Sequence, residues 1–161
     1  MGEYSVAAET VVGAGMRFAI AVSRFNDDIT AALLEGARRT FTDQGVREQD
    51  LTVVSVPGAF ELPLIAQHLA RAGYADAVVC LGAVIRGDTP HFDYVAGEAA
   101  RGLQEVALAT GVPVVFGILT TNTHAQAVDR IGGSEGHKGE EAAATALEMV
   151  ALLRSLPPVL G

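Results

Sequence analysis

Four apolar runs rich in β-branched residues recur along the chain, each separated from the next by a stretch of helical periodicity. This alternation constrains the fold more than any other feature. The runs are Arg17-Phe18-Ala19-Ile20-Ala21-Val22, Leu51-Thr52-Val53-Val54-Ser55-Val56, residues 77–85, and Val114-Val115-Phe116-Gly117-Ile118-Leu119. They are nearly continuous in apolar character rather than alternating apolar with polar. Continuous runs of this length indicate strands buried on both faces, which is the habit of parallel sheets.

The intervening segments carry the helical pattern. Residues 27–44 place Ile29, Leu33, Ala37 and Phe41 four apart, and Gly45 suits the end of that helix. Residues 61–72 follow with Leu62, Ile65, Ala66 and Leu69 before Gly73, and residues 93–110 with Val95, Ala99, Leu103 and Val106 before Gly111. A short helix is expected near 124–130 and a long one near 138–155. Residues 1–15 form an N-terminal arm with a short strand expected around Glu9 to Val12. The whole predicts one α/β domain over residues 1–161: a flavodoxin-like three-layer sandwich on a four-stranded parallel sheet with right-handed crossovers.

Composition narrows the functional classes. Half of the residues are hydrophobic and 19% are charged, with a mean hydropathy of +0.32. No uninterrupted apolar run approaches the roughly 18 residues of a membrane span, so the surplus apolar surface is expected to meet other subunits. The net charge of −8 argues against broad binding to nucleic acid or to an anionic membrane. An anionic small substrate then needs a local cluster of positive groups. The N-terminus lacks a basic segment followed by an apolar one, so no signal peptide is expected. Cys80 is the sole cysteine and lies within an apolar run, as a buried small hydrophobe in a reducing, cytoplasmic compartment would. The four histidines are dispersed and no metal-ligand spacing occurs. Dinucleotide-binding glycine motifs, nucleotide-binding P-loops and serine nucleophile elbows are absent.

In a doubly wound fold ligands bind beyond the carboxyl ends of the strands. That rule selects four loops. In Ser23-Arg24-Phe25-Asn26-Asp27, Phe25 can stack on a planar ring, or pack under the helix start with Asn26 or Asp27 as its cap. In Pro57-Gly58-Ala59-Phe60-Glu61, Pro-Gly turns the chain and Glu61 suits a helix N-terminus, which ordinary turn chemistry explains. The loop Arg86-Gly87-Asp88-Thr89-Pro90-His91 is the richest. Gly87 permits close approach, free N–H groups near a helix start suit an anion, Thr89 adds a hydroxyl, and His91 exchanges protons near neutral pH. A lone surface histidine is usually inert; its place on the ligand face balances that. The fourth region, residues 130–141, is a glycine-rich loop with Arg130 and Lys138 at its ends, able to hold a phosphate or simply to join two helices. Lys138 is unhelpful to a helix N-terminus and needs another reason to be there.

Taken together, Arg24-Phe25-Asn26, the run from Val56 to Pro63, residues 81–95, Gly117-Ile118-Leu119-Thr120-Thr121-Asn122 and Lys138-Gly139-Glu140-Glu141-Ala142-Ala143 closely resemble the lumazine synthase family in order and spacing, over about residues 15–156. The resemblance implies a transferase that condenses 5-amino-6-(D-ribitylamino)uracil with 3,4-dihydroxy-2-butanone 4-phosphate in riboflavin biosynthesis. Phosphate and water are released, with no metal and no organic cofactor. It implies that Phe25 stacks on the pyrimidine and that Ala59, Phe60 and Glu61 meet the ribityl chain. Ala83, Val84 and Ile85 would offer backbone groups to the pyrimidine edge, and Gly87, Asp88 and Thr89 would line the phosphate site. His91 would move protons. Phe116 and Arg130 would come from a neighbouring subunit, Arg130 onto phosphate, with Lys138 and Glu141 in support. It further implies a homo-oligomer of pentamers, twelve of them in an icosahedral shell when the Arg130–Lys138 connection is short, as here, and riboflavin synthase as an enclosed partner in some members. Two rivals stand beside this reading: a non-catalytic flavin-storage shell of the same fold, and a flavodoxin-type electron carrier, against which the first loop lacks a Ser/Thr-rich phosphate-binding run.

Overall fold

The computed structural model describes residues 2–7, 10–73 and 75–160. Its elements follow in the order β1 (Phe18–Ser23), α1 (Asp27–Asp43), β2 (Leu51–Val56), α2 (Leu62–Arg71), β3 (Ala77–Ile85), α3 (His91–Thr110), β4 (Val114–Thr121), α4 (His124–Val128), β5 (Ile131–Gly133), β6 (Gly136–His137) and α5 (Lys138–Ser155), with single 3-10 turns at Glu48–Asp50 and Ala59–Glu61. The first four long strands form one parallel sheet in the order β2-β1-β3-β4.

The period-2 alternation of a strand sorts the apolar runs between two cores. Phe18, Ile20 and Val22 of β1 face the layer of α1 and α5, where Ile29, Leu33, Phe41, Ala143 and Leu147 meet them. Ala19 and Ala21 face α2 and α3, against Leu62, Ala66, Leu69, Ala99 and Leu103. Small residues on the second face let those helices lie close. The inner strands β1 and β3 are buried throughout or nearly so, whereas β2 and β4 are the sheet edges and are only partly covered. Identical continuous apolar patterns thus serve two different environments. Cys80 is fully buried on β3, and desolvation pushes its thiol up to about 12, so it is protonated and inert at neutral pH.

Three expectations are corrected. The strand expected around Glu9 to Val12 falls partly on Glu9, outside the described residues; Thr10 makes a turn back to Ala7 and Val11 and Val12 pair with no strand. The edge of β2 is the only place such a strand could add on that side of the sheet, and the arm of the same chain instead packs Val11 into the α1–α5 core. Helix α3 starts at His91 rather than Asp93, because Pro90 supplies a helical φ before it and the Asp93 N–H already donates to the Pro90 carbonyl. The glycine-rich connection 131–137 is a small antiparallel hairpin, β5–β6, not an open loop.

Close backbone contact positions α5. A Cβ on Gly139 would overlap the carbonyl oxygen of Leu33 on α1, and one on Gly36 would overlap the His137 ring. On the sheet side, a Cβ on Gly117 would stand 2.8 Å from the Cys80 carbonyl and 3.3 Å from Ala142. These glycines let α5 wedge between α1 and β4. Gly139→Ala forces the two helices apart and is expected to lower the unfolding midpoint in urea by the equivalent of about 1–3 kcal/mol. Equilibrium denaturation followed by circular dichroism checks this; an unchanged midpoint would show that the helix pair can spread at no cost.

Candidate active site

The path of the chain places a crevice at one end of the sheet. From β1 the chain crosses by α1 to β2 on one flank; from β2 it crosses by α2 to β3 on the other. Successive crossovers of one hand must then lie on opposite faces, so no connection covers the carboxyl ends of β1 and β3. A side-chain bond spans the gap: the Asn26 amide donates to the Ala83 carbonyl at 3.0 Å. Asn26 itself adopts a left-handed conformation at φ 58°, which asparagine tolerates better than most residues. It was expected only as a helix cap, and it makes no side-chain cap bond.

Phe25 projects from this turn with 68% of its surface exposed, so it is not packed under the helix start. Its ring lies against the second loop, where a Cβ on Gly58 would come within 2.8 Å of Cδ2. The same glycine donates its N–H to Glu61 Oε2 at 3.0 Å. Glu61 therefore has one oxygen committed to shaping the loop and one directed to solvent or ligand. Phe60 is exposed beside it, and Ala59 is buried against Gly82 of β3. Val84 and Ile85, at the end of β3, are half-buried where the rest of the strand is buried. Gly87, Asp88, Thr89 and His91 continue outward, all exposed, and the position of a Cβ on Gly87 has no atom within 4 Å. The rim accordingly has open space beside its backbone N–H groups. At its base, Ser23 Oγ is buried with no hydrogen-bond partner among the described residues.

Phe116, Arg130, Lys138 and Glu141 are not part of this crevice. They line a separate open groove of about 680 Å³ along the free edge of β4. Phe116 pairs with Cys80, whereas the end of the sheet is marked by Ile85 opposite Thr121. Five residue steps separate the two positions, about 16 Å at 3.3 Å per residue. The hairpin explains how Arg130 and Lys138 meet, for the Lys138 N–H donates to the Arg130 carbonyl at 2.8 Å. The reason for Lys138 at a helix start is also visible: its Nζ lies 2.9 and 3.1 Å from the two carboxylate oxygens of Glu141, one turn on. Arg130 donates to the Gln126 carbonyl at 2.8 Å and, among the described residues, has no carboxylate within ion-pair distance. It is a half-buried cation with donors to spare, suited to an external anion.

A family model described as 6,7-dimethyl-8-ribityllumazine synthase matches residues 15–154. The chain belongs to that family. It is 53% identical over 146 residues to 6,7-dimethyl-8-ribityllumazine synthase of Syntrophus aciditrophicus, covering 91% of this chain and 95% of that protein. It is 55% identical over 142 residues to the enzyme of the same name from Thermus thermophilus, covering 88% and 90%. Membership of the lumazine synthase family makes the chain a transferase of riboflavin biosynthesis and disfavours the storage-shell and electron-carrier readings. The four-stranded parallel sheet flanked by helices agrees with that family's flavodoxin-like fold.

Proposed function

We propose that the crevice and the β4-edge groove are two halves of one condensation site, completed when copies of the chain assemble. The reaction is the joining of 5-amino-6-(D-ribitylamino)uracil to 3,4-dihydroxy-2-butanone 4-phosphate, yielding 6,7-dimethyl-8-ribityllumazine with release of phosphate and water. The observation that carries the two-half reading is the separation of about 16 Å along the sheet between Phe116 and the strand ends. A single chain has an aromatic ring and a proton-transfer group at one place, and its uncommitted arginine at another.

In this reading the pyrimidine stacks on Phe25, and its edge meets backbone groups of Ala83, Val84 and Ile85. The Ala83 carbonyl already accepts from Asn26, so the following residues carry more of that recognition. The ribityl chain runs past Ala59 and Phe60 to the uncommitted oxygen of Glu61. The phosphate lies over Gly87, Asp88 and Thr89, where backbone N–H groups face open space, and Arg130 of a neighbouring copy neutralises it, with its Lys138–Glu141 pair behind. Phe116 of that neighbour closes the pyrimidine site. His91, exposed at the start of α3, passes protons as the amine adds to the carbonyl and water leaves, and as the phosphate departs. No protein nucleophile and no cofactor is required. Alignment of the two substrates and neutralisation of charge supply the rest.

The assembly we favour is the pentamer, with twelve pentamers in an icosahedral shell, because the Arg130–Lys138 connection is a tight hairpin with no insertion. Riboflavin synthase is a candidate guest of such a shell. The inert buried thiol fits a reducing, cytoplasmic setting.

Appearance of the fluorescent lumazine from the two substrates tests the assignment directly. In that assay His91→Ala is expected to lose about one to two orders of magnitude in kcat, and full retention of activity would remove His91 from proton transfer. Arg130→Ala is expected to raise KM for the phosphate substrate by about tenfold or more, with little change for the pyrimidine; equal effects on both substrates would refute its role. Light scattering is expected to give a particle far larger than a pentamer, and a pentamer-sized species across buffers would contradict the shell.

A further inference from the structure

The turn Gly87–Thr89, on which the proposed phosphate site depends, is held in an unusual way. Among the described residues, no hydrogen bond links Gly87, Asp88 or Thr89 to any other segment; the one bond Thr89 makes is local, its Oγ1 accepting from the His91 N–H at 3.4 Å. The turn is therefore fixed only by what anchors its two ends. At the entrance, the Arg86 N–H donates to the Thr121 carbonyl at 2.9 Å, extending the β3–β4 ladder by one residue. At the exit stands the first turn of α3, carrying His91.

The Arg86 side chain joins these ends. Its Nε donates to Asn122 Oδ1, just past β4, at 3.0 Å. Its Nη2 lies 3.3 Å from Asp93 Oδ1 on the first turn of α3, and its guanidinium stacks 4.3 Å from the centre of the Phe92 ring beside it. One planar cation thus touches the ends of two strands and the start of a helix. Its charge is matched by Asp93 and its face is covered by Phe92, so it is largely committed before any substrate arrives. A cation reserved for the phosphate would look like Arg130, which has no carboxylate partner among the described residues.

We infer that Arg86 is a positioning residue: it braces the free-standing Gly87–Thr89 turn and the His91 helix start against the end of β4, and does not itself bind the phosphate. This rests on the reading of that turn and His91 as the reactive end of the site. The mechanism needs the planar fork of arginine, which a lysine point charge cannot reproduce. Pairs this exposed contribute little to global stability, so the effect falls on geometry at His91 rather than on folding.

The test compares Arg86→Ala, Arg86→Lys, Asn122→Ala and the Arg86→Ala/Asn122→Ala double variant. Misplaced catalytic groups cost on the order of tenfold or more in rate. Both Arg86 variants are therefore expected to lose about that much in kcat while KM for the phosphate substrate stays within about twofold. Asn122→Ala is expected to lose less, and the double variant no more than Arg86→Ala alone, since the two side chains form one brace. Amide hydrogen exchange is expected to speed up over residues 87–94 in the Arg86 variants and to stay unchanged in β1 and α5. A rise in KM for the phosphate substrate with kcat preserved, or full rescue by lysine, would overturn the inference and make Arg86 a direct anion ligand. Unchanged exchange at 87–94 would overturn it as well. If the wild-type chain formed no lumazine, the proposed reaction would fall, yet the exchange comparison would still decide whether Arg86 braces the turn.

Discussion

The site depends on one topological constraint. Crossovers between parallel strands take a single hand, and this chain leaves β1 toward one flank of the sheet and reaches β3 on the other. The helices α1 and α2 must then lie on opposite faces, and the ends of β1 and β3 are left uncovered. The loops that follow β1, β2 and β3 open onto that gap and carry Phe25, Glu61 and His91. The Asn26–Ala83 bond links the two strand ends, and Asn26 makes it from a left-handed backbone. The crevice is a consequence of the strand order, and its side chains are additions to it.

A second constraint operates at the far edge. Helix α5 sits deep between α1 and β4 because Gly36, Gly117 and Gly139 present no side chain at the points of closest approach. That depth brings Glu141 and Lys138 beside the free edge of β4, where the hairpin delivers Arg130. The uncommitted cation and the exposed Phe116 thus end up on an open strand edge. A second copy bringing that edge to the crevice would unite groups that one chain holds apart. The high apolar content of the chain, with exposed Phe116, Leu64 and Leu108, accords with burial between copies.

The long elements were legible because their signals are local. Period and composition marked β2 and β3 to the residue and the helices to within two residues at either end, and glycine closed α3 where expected. The motif residues were legible because their types and order are specific to a family. What escaped was set by contacts distant in sequence. Asn26 read as a cap, since nothing local announces a bond to Ala83, 57 residues away. Arg86 read as part of an anion turn, since its partner Asn122 lies 36 residues on. The β5–β6 hairpin was hidden by glycines that serve a loop and a hairpin equally well.

By itself the sequence determined the layers, the four parallel strands and the family, because hydrophobic period, turn residues and motif spacing are properties of short stretches of chain. Only the tertiary structure decided which strands became edges, since continuous apolar runs look alike in the middle of a sheet and at its rim. It alone showed that, among the described residues, Arg130 has no carboxylate partner while Arg86 and Lys138 are paired, because a charge is neutralised by whatever lies within a few ångströms, whatever its distance along the chain. It also set Phe116 and Arg130 on the β4 edge, apart from the crevice at the strand ends, for the strand register, not the spacing of residues in sequence, sets how far Phe116 stands from the end of β3.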